Sequence, residues 1–580
     1  MIYRKAHVLI AASLLALSVW CMFGASGDFG FLRLDDQDYT FRCAFVMDGL
    51  SWANVREAFA NVRHGGIWMP ATYVSYMCGI SMFGPGPGAH HLVNVAIHTV
   101  NAVLLLCLVH ALARRGALVA ELLLVAFWAL HPQRAEAVAW IASRKELLCA
   151  MFSLGGLLFW IRARSREAGV APALAGTYAC FALACMSKPT AMCFPFLVLA
   201  VEGIMRFRRS RFLLVNLSVF LLMSAAVGAL AVYSQTHPEG FASRELFTAS
   251  LMWRLLNAAV STGLYLFQMV VPVGIHLDYR AVPGGWPLHG ALGLCALLVA
   301  AAGVAVALWR LRERRGLVLS SCLWFAAALA PTLGIFGSFG EHARADRFLY
   351  LPAMAVPVAL AIVFAQLRGW RMKAALSAVA LSVAVAVVAS RPVVASYISD
   401  EAAFGRSAEC DPDHWRALAH VGESRCAAGD LEEGIALLRR SRVALPRDAT
   451  DAKLAYALMR RGRADDWREI REVCAAIADD PSRDARGQAL EALGTAELSA
   501  CRWDAAARLL DLSIRAPARH YSSSDAILKL AYAYQNGRRR DEARKLFEWV
   551  ELRSGRKDLA ARARQALDVL ESAPQVILFW

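Results

Sequence analysis

Nearly all the long apolar runs of this 580-residue chain lie in residues 1–392, and 393–580 is charge-rich. A membrane span needs about 20 mostly apolar residues, because the bilayer core offers backbone groups no partner outside their own helix. Eleven segments fit: 7–24, 91–112, 117–131, 147–163, 173–187, 190–205, 212–233, 288–309, 317–336, 347–366 and 374–391. The third and fifth are short and need flanking residues to reach across. The chain therefore reads as all-α, with a polytopic membrane domain at 1–392 followed by a soluble helical domain at 393–580.

Hydrophobic residues make up 58% of the chain, yet the formal net charge is +15. The basic residues fall in short connectors: Arg4/Lys5, Arg114/Arg115, Arg162–Arg166, Arg206–Arg211, Arg310–Arg315 and Arg368–Lys373. All six lie on one side if the eleven segments cross in turn, which is the positive-inside pattern. That pattern accounts for the charge, and no nucleic-acid-binding motif accompanies it. A further apolar stretch, 253–272, breaks the alternation if it spans. Flanked by Pro272 and Gly274, it reads as re-entrant or interfacial. The N-terminus could pass for a cleaved signal peptide, but the spans that follow favour a signal-anchor.

This topology places an outer loop at about 25–90 on the same face as 131–146, 337–352 and the C-terminal domain. In a bacterium that face of the inner membrane is periplasmic. Most of the 14 cysteines sit inside apolar runs, as small hydrophobes do. No CxxC or metal-ligand spacing occurs. Cys43 with Cys78, and Cys410 with Cys426, lie where disulfides are permitted, but spacing pairs neither.

The C-terminal domain repeats. Starting from Trp415, Gly422, Gly429, Leu438 and Pro446 occupy tetratricopeptide-repeat spacings. Ala531, Ala543 and Phe547 fall at the same offsets in a later copy, as do Gly494, Ala506 and Leu510; 449–482 matches more weakly. Small residues let paired helices approach closely, so stacked pairs make an α-solenoid suited to protein contact. An unrelated helical bundle is the competing reading.

Ionisable groups gather at the outer face: Asp35, Asp36, Asp38 and Tyr39; His131, Arg134, Glu136, Arg144 and Lys145; Lys188; and Glu341, His342, Arg344, Asp346, Arg347 and Tyr350. Each alone could cap a span or pair with a neighbour. Together, a carboxylate can act as general base while Arg and Lys hold a phosphate leaving group. A transporter would instead want such residues near the bilayer midplane.

The order DDQDY, HHLVNVAIHTVNAVLLL, ALHPQRAEAVAWIASRKELL, SKPTA and ADRFLYLP, followed by the repeats, resembles the transmembrane and tetratricopeptide-repeat O-mannosyltransferases. More closely, it resembles their bacterial relatives, within the GT-C superfamily of membrane glycosyltransferases. The resemblance implies a polyprenyl-phosphate-linked sugar donor, commonly mannose, and no metal or other cofactor. It implies that Asp35 is the base, Asp36 the second acid and Tyr39 the aromatic of the motif. His131, Pro132, Glu136 and Arg144 carry over from one further motif, and Arg347, Tyr350, Leu351 and Pro352 from another. Arg347 is then the foremost phosphate ligand, helped by Arg144 or Lys188. Two features depart from the family: Met69 stands where relatives often have histidine, and Glu202 where an Asp often closes the sixth span. The expected reaction is a single inverting displacement onto a hydroxyl, such as Ser or Thr of an exported protein, with a protein partner bound through the repeats. Transfer to a lipid or envelope glycan, or a non-catalytic membrane scaffold, are the alternatives.

Overall fold

A computed structural model describes residues 2–32, 34–40, 43–62, 66–113, 117–165, 169–206, 210–236, 250–279, 287–335, 344–480, 485–516 and 523–572. Among them the secondary structure is helical throughout, with no strand. Glu341 and His342, and the connector residues Arg114, Arg115, Arg166, Arg208 and Arg209, lie outside the described residues.

The chain divides into two compact units, Met1–Cys410 and Asp411–Trp580, so the boundary falls later than the expected 392/393. The helix Gly369–Ala395 runs through Pro392. Beyond it, Gly30 donates its backbone N–H to the Ile398 carbonyl at 3.2 Å, and Arg406 donates to the Ile275 carbonyl at 2.7 Å. These bonds tie 396–410 into the first unit.

Among the described residues of that unit, nine helices are long and apolar enough to cross a membrane. Each coincides with an expected span, and the remaining two expected spans are the shorter apolar segments Leu118–Ala129 and Pro189–Met205. The fifth span, expected to be short, starts earlier, at Val170, and reaches 18 residues. The sixth is short instead. It opens as a 3-10 turn, Pro189–Cys193, and becomes α-helix only from Phe194, where Pro189 and Pro195 have no N–H to donate. Apolar side chains such as Leu222, Leu298 and Val388 point outward, each about 70% exposed. His90, His91, Asn94, His98 and Asn101 are buried along the inner face of Pro87–Ala113. Apolar outside and polar inside is the arrangement that suits a hydrocarbon surround.

The stretch expected to be re-entrant or interfacial folds as one unbroken 20-residue helix, Leu251–Val270, so the re-entrant shape is not the one formed. It packs along Pro287–Arg310. At the crossing a Cβ built on Gly263 would run into the Gly293 carbonyl oxygen, so the backbones meet where no side chain fits.

The second unit is a run of helices from Trp415–Ala428 to Lys557–Ser572, each packed against the next. Several of the positions picked out by spacing lie at helix contacts, whereas Gly429 is the left-handed cap of Trp415–Ala428 with open space beside it and Pro446 is exposed. Leu438, Ala506, Leu510, Ala531, Ala543 and Phe547 are fully buried, and a Cβ on Gly422 would meet the Gly434 carbonyl at 2.9 Å. The weakly matching stretch also forms a helix pair, Asp448–Arg461 and Asp466–Asp479.

Candidate active site

DDQDY folds as a single short helix, Asp35–Tyr39. At about 100° per residue, neighbouring acids must face different ways, while positions three apart share a face. Asp36 and Tyr39 accordingly turn inward and are buried. Asp36 Oδ2 accepts the Leu32 N–H at 2.9 Å, and Oδ1 accepts the Ala142 N–H at 2.7 Å. Burial pushes its carboxyl up to about 7, against the pull of those two N–H groups. The Asp35 side chain is 41% exposed and stands 3.6 Å from Lys145 Nζ.

The facing loop is held from several sides. His131 caps the turn Pro132–Arg134, its Nδ1 accepting the Gln133 N–H at 3.3 Å. Tyr76 donates to the Ile141 carbonyl at 2.8 Å, and Asn94 donates to the Trp140 carbonyl at 3.0 Å. Arg144, Lys145 and Glu146 then open the helix Arg144–Arg164, and one helical turn sends the three side chains in three directions.

Arg144 goes into the core. It donates to Asn94 Oδ1 at 2.8 Å, to the His90 carbonyl at 2.8 Å and to the Ser75 carbonyl at 3.3 Å, with its guanidinium 4.4 Å from the Tyr76 ring. Lys145 reaches Tyr39, donating to its hydroxyl at 3.0 Å. Glu146 meets Lys188, whose Nζ lies 2.5 Å from both carboxylate oxygens. Burial lowers the Lys188 ammonium even so close to Glu146.

Arg347 is clasped by Glu136. Its backbone N–H donates to Glu136 Oε2 at 2.8 Å, and its guanidinium Nη1 donates to Oε1. The guanidinium lies 4.9 Å from the rings of Trp140 and Phe348, and Lys188 lies 5.1 Å from Phe348. Asp35, Glu136 and Glu146 all act electrostatically on Arg347, as Lys145 and Arg347 do on Lys188. These six groups, three anions and three cations, thus form one cluster.

The structure therefore brings together Asp35, Glu136, Lys188 and Arg347 of the expected site, with Asp36 directly beneath. It places three others in supporting positions. Arg144 is fully buried among protein acceptors. Tyr350 is buried, its hydroxyl 2.6 Å from His98 Nδ1 and 3.1 Å from Asn101 Nδ2. Buried His131 is pushed down to about 3 by its desolvation and by Arg134. Of the cluster's members, Lys145 is named in the sequence among the outer-face groups without a role of its own, and Glu146 is not named. The signal for them is the Arg-Lys-Glu triplet opening an apolar helix, a costly placement unless the charges pair.

Beside the cluster, Asp346 accepts the Tyr279 hydroxyl at 2.6 Å, and Arg344 donates to Gln268 at 2.7 Å from 3.7 Å over the Tyr279 ring. Neither departure from the family pattern lies in the cluster. Met69 is buried at the start of Pro70–Phe83. Glu202 binds Arg164 bidentately at 2.8 and 3.0 Å, at the far end of the helix that Arg144 opens. Cys43 with Cys78, and Cys410 with Cys426, form no disulfide. Among the described residues no group of three or more His, Cys, Asp or Glu could hold a metal ion.

The chain is similar to Protein O-mannosyl-transferase F38B6.6 of Caenorhabditis elegans, with 24% identity over 315 residues. The match takes in 52% of this chain and 42% of that protein's length. No family model matches the chain.

Proposed function

We propose that this chain is a membrane glycosyltransferase that moves a sugar, mannose in the first instance, from a polyprenyl-phosphate donor to a hydroxyl acceptor with inversion. The observation that carries the proposal is the half-open carboxylate of Asp35 facing a cluster in which Glu136 and Glu146 are already bound to Arg347 and Lys188. A base must be reachable by the acceptor, and of the cluster's three carboxylates Asp35 is the half-exposed one. The named relative is an O-mannosyltransferase, which agrees with a sugar as the group transferred.

In the proposed step the acceptor oxygen attacks the anomeric carbon while Asp35 takes its proton. The bond from that carbon to the phosphate oxygen breaks, and polyprenyl phosphate leaves with both electrons of the bond. The added negative charge forms on phosphate, where cations already fixed in a poorly hydrated mouth lower the barrier most. Glu136 fixes Arg347 for that role. Asp36 places the base rather than sharing its work, since both its oxygens are occupied by backbone N–H groups. Arg144, His131 and Tyr350 serve as the frame.

The helix array of the second unit is read as a tetratricopeptide-repeat solenoid that recruits the acceptor protein or a partner presenting it. Site and solenoid are assigned to the periplasmic face of a bacterial inner membrane. The test is Asp35→Asn in membranes given labelled polyprenyl-phosphate mannose. Loss of a general base lowers transfer by about 10²-fold or more, and undiminished transfer would overturn the assignment.

A further inference from the structure

We infer that Lys145 is a direct ligand of the donor's phosphate, and that Asp35 competes with the phosphate for it. The inference rests on the polyprenyl-phosphate reading above and adds a residue to it. A phosphodiester brings one negative charge into a cluster whose charges already balance, so it needs a cation that its present partners hold loosely.

The cations at the mouth differ in this respect. Arg144 spends its donors on Asn94, His90 and Ser75 in the core. Lys188 is held by both oxygens of Glu146 at 2.5 Å, and Arg347 by Glu136 through backbone and side chain. Lys145 is buried, yet the hydrogen bond it makes at 3.0 Å goes to a neutral phenol, and its carboxylate neighbour stands off at 3.6 Å. That carboxylate belongs to the half-exposed acid the acceptor must reach. A phosphate oxygen arriving beside Asp35 therefore meets an ammonium group without having to break a short ion pair. Placed there, Lys145 donates to the oxygen on which charge grows as the sugar leaves, and Asp35 is freed to take the proton.

The experiment measures binding of undecaprenyl phosphate to the full-length protein in nanodiscs, comparing wild type, Lys145→Met, Lys145→Arg and Asp35→Asn. Losing a buried charge-assisted contact weakens binding about tenfold to a hundredfold in Lys145→Met, and Lys145→Arg retains most of the affinity. Asp35→Asn, which removes the competitor, binds more tightly by about threefold or more while losing transfer. Equal affinity for wild type and a cooperatively melting Lys145→Met overturns the inference. If Lys145→Met does not fold, Asp35→Asn decides, and unchanged or weaker binding overturns it. Phosphatidylglycerol is run as a separate arm. Equal dependence on Lys145 there would make this a general headgroup site and overturn the donor assignment, whereas Lys145-dependent competition by inorganic phosphate supports contact with phosphate itself. A wild type that binds no undecaprenyl phosphate overturns the donor reading as well, so the two failures are told apart.

Discussion

Asp36 Oδ1 accepts the backbone N–H of Ala142, 106 positions along the chain, at 2.7 Å, while Oδ2 accepts that of Leu32. One buried carboxylate thus joins the first outer loop to the turn that leads into Arg144, Lys145 and Glu146. Asparagine would place an amide N–H₂ against one of the two N–H groups. Asp36→Asn should therefore destabilise the protein by about 1–3 kcal/mol, seen as a lower Tm. Asp35→Asn, at a half-exposed position, should melt like the wild type. The two adjacent acids are then separated by one measurement of stability and one of transfer.

The pH dependence follows from the same group. Burial raises Asp36 from 3.8 to about 7, so between those values the folded chain holds a proton the unfolded chain has lost. Its stabilising contribution is complete below about pH 4 and is lost as pH rises through about 7. Tm measured from pH 4.5 to 8 should fall with a component that is absent in Asp36→Asn.

Glu146 and Lys188 form a buried ion pair. Removing either partner leaves an uncompensated charge, so Glu146→Gln or Lys188→Met should each cost about 3–5 kcal/mol. The double variant Glu146→Gln/Lys188→Met should lose much less than the sum, which a thermal double-mutant cycle reads directly.

The crossing of Leu251–Val270 with Pro287–Arg310 depends on Gly263. Gly263→Leu must push the helices apart, costing about 1–3 kcal/mol or more. Reduced Tm with helix content preserved in circular dichroism is the expected result.

Residues 411–572 have hydrophobic clusters of their own, one centred on Leu454 and Ile470 and another on Phe547 and Leu559. Expressed alone, this segment should unfold cooperatively as a helical protein by circular dichroism. A non-cooperative melt would show that it depends on the first unit.

Much of this architecture was readable in order along the chain. Apolar runs must become helices where water is absent, and small residues at fixed intervals must mark close helix contacts. That logic reached the positions of the spans and the contact residues Gly422, Ala506 and Ala543. It was less sure of length at Pro189–Met205, where prolines turn the first residues into a 3-10 segment. It also left 253–272 open between two shapes, because apolar content does not reveal whether a helix turns back. The alternation of basic connectors also led to the expectation that acids and bases gather, and Asp35, Glu136, Lys188 and Arg347 do meet in one cluster.

The sequence by itself determined which residue types the mouth contains and on which segments they lie. Only the tertiary structure decided which of them are free to act. Asp35 and Asp36 are adjacent and chemically identical, as Arg144 and Lys145 are adjacent and alike in charge. Rotation of about 100° per residue sends one of each pair into the packed interior and the other to the mouth. What each then meets is set by residues 50 to 106 positions away, such as Ala142 for Asp36, Asn94 for Arg144 and Tyr39 for Lys145. A local pattern carries no trace of those partners, because they come together only when the helices pack.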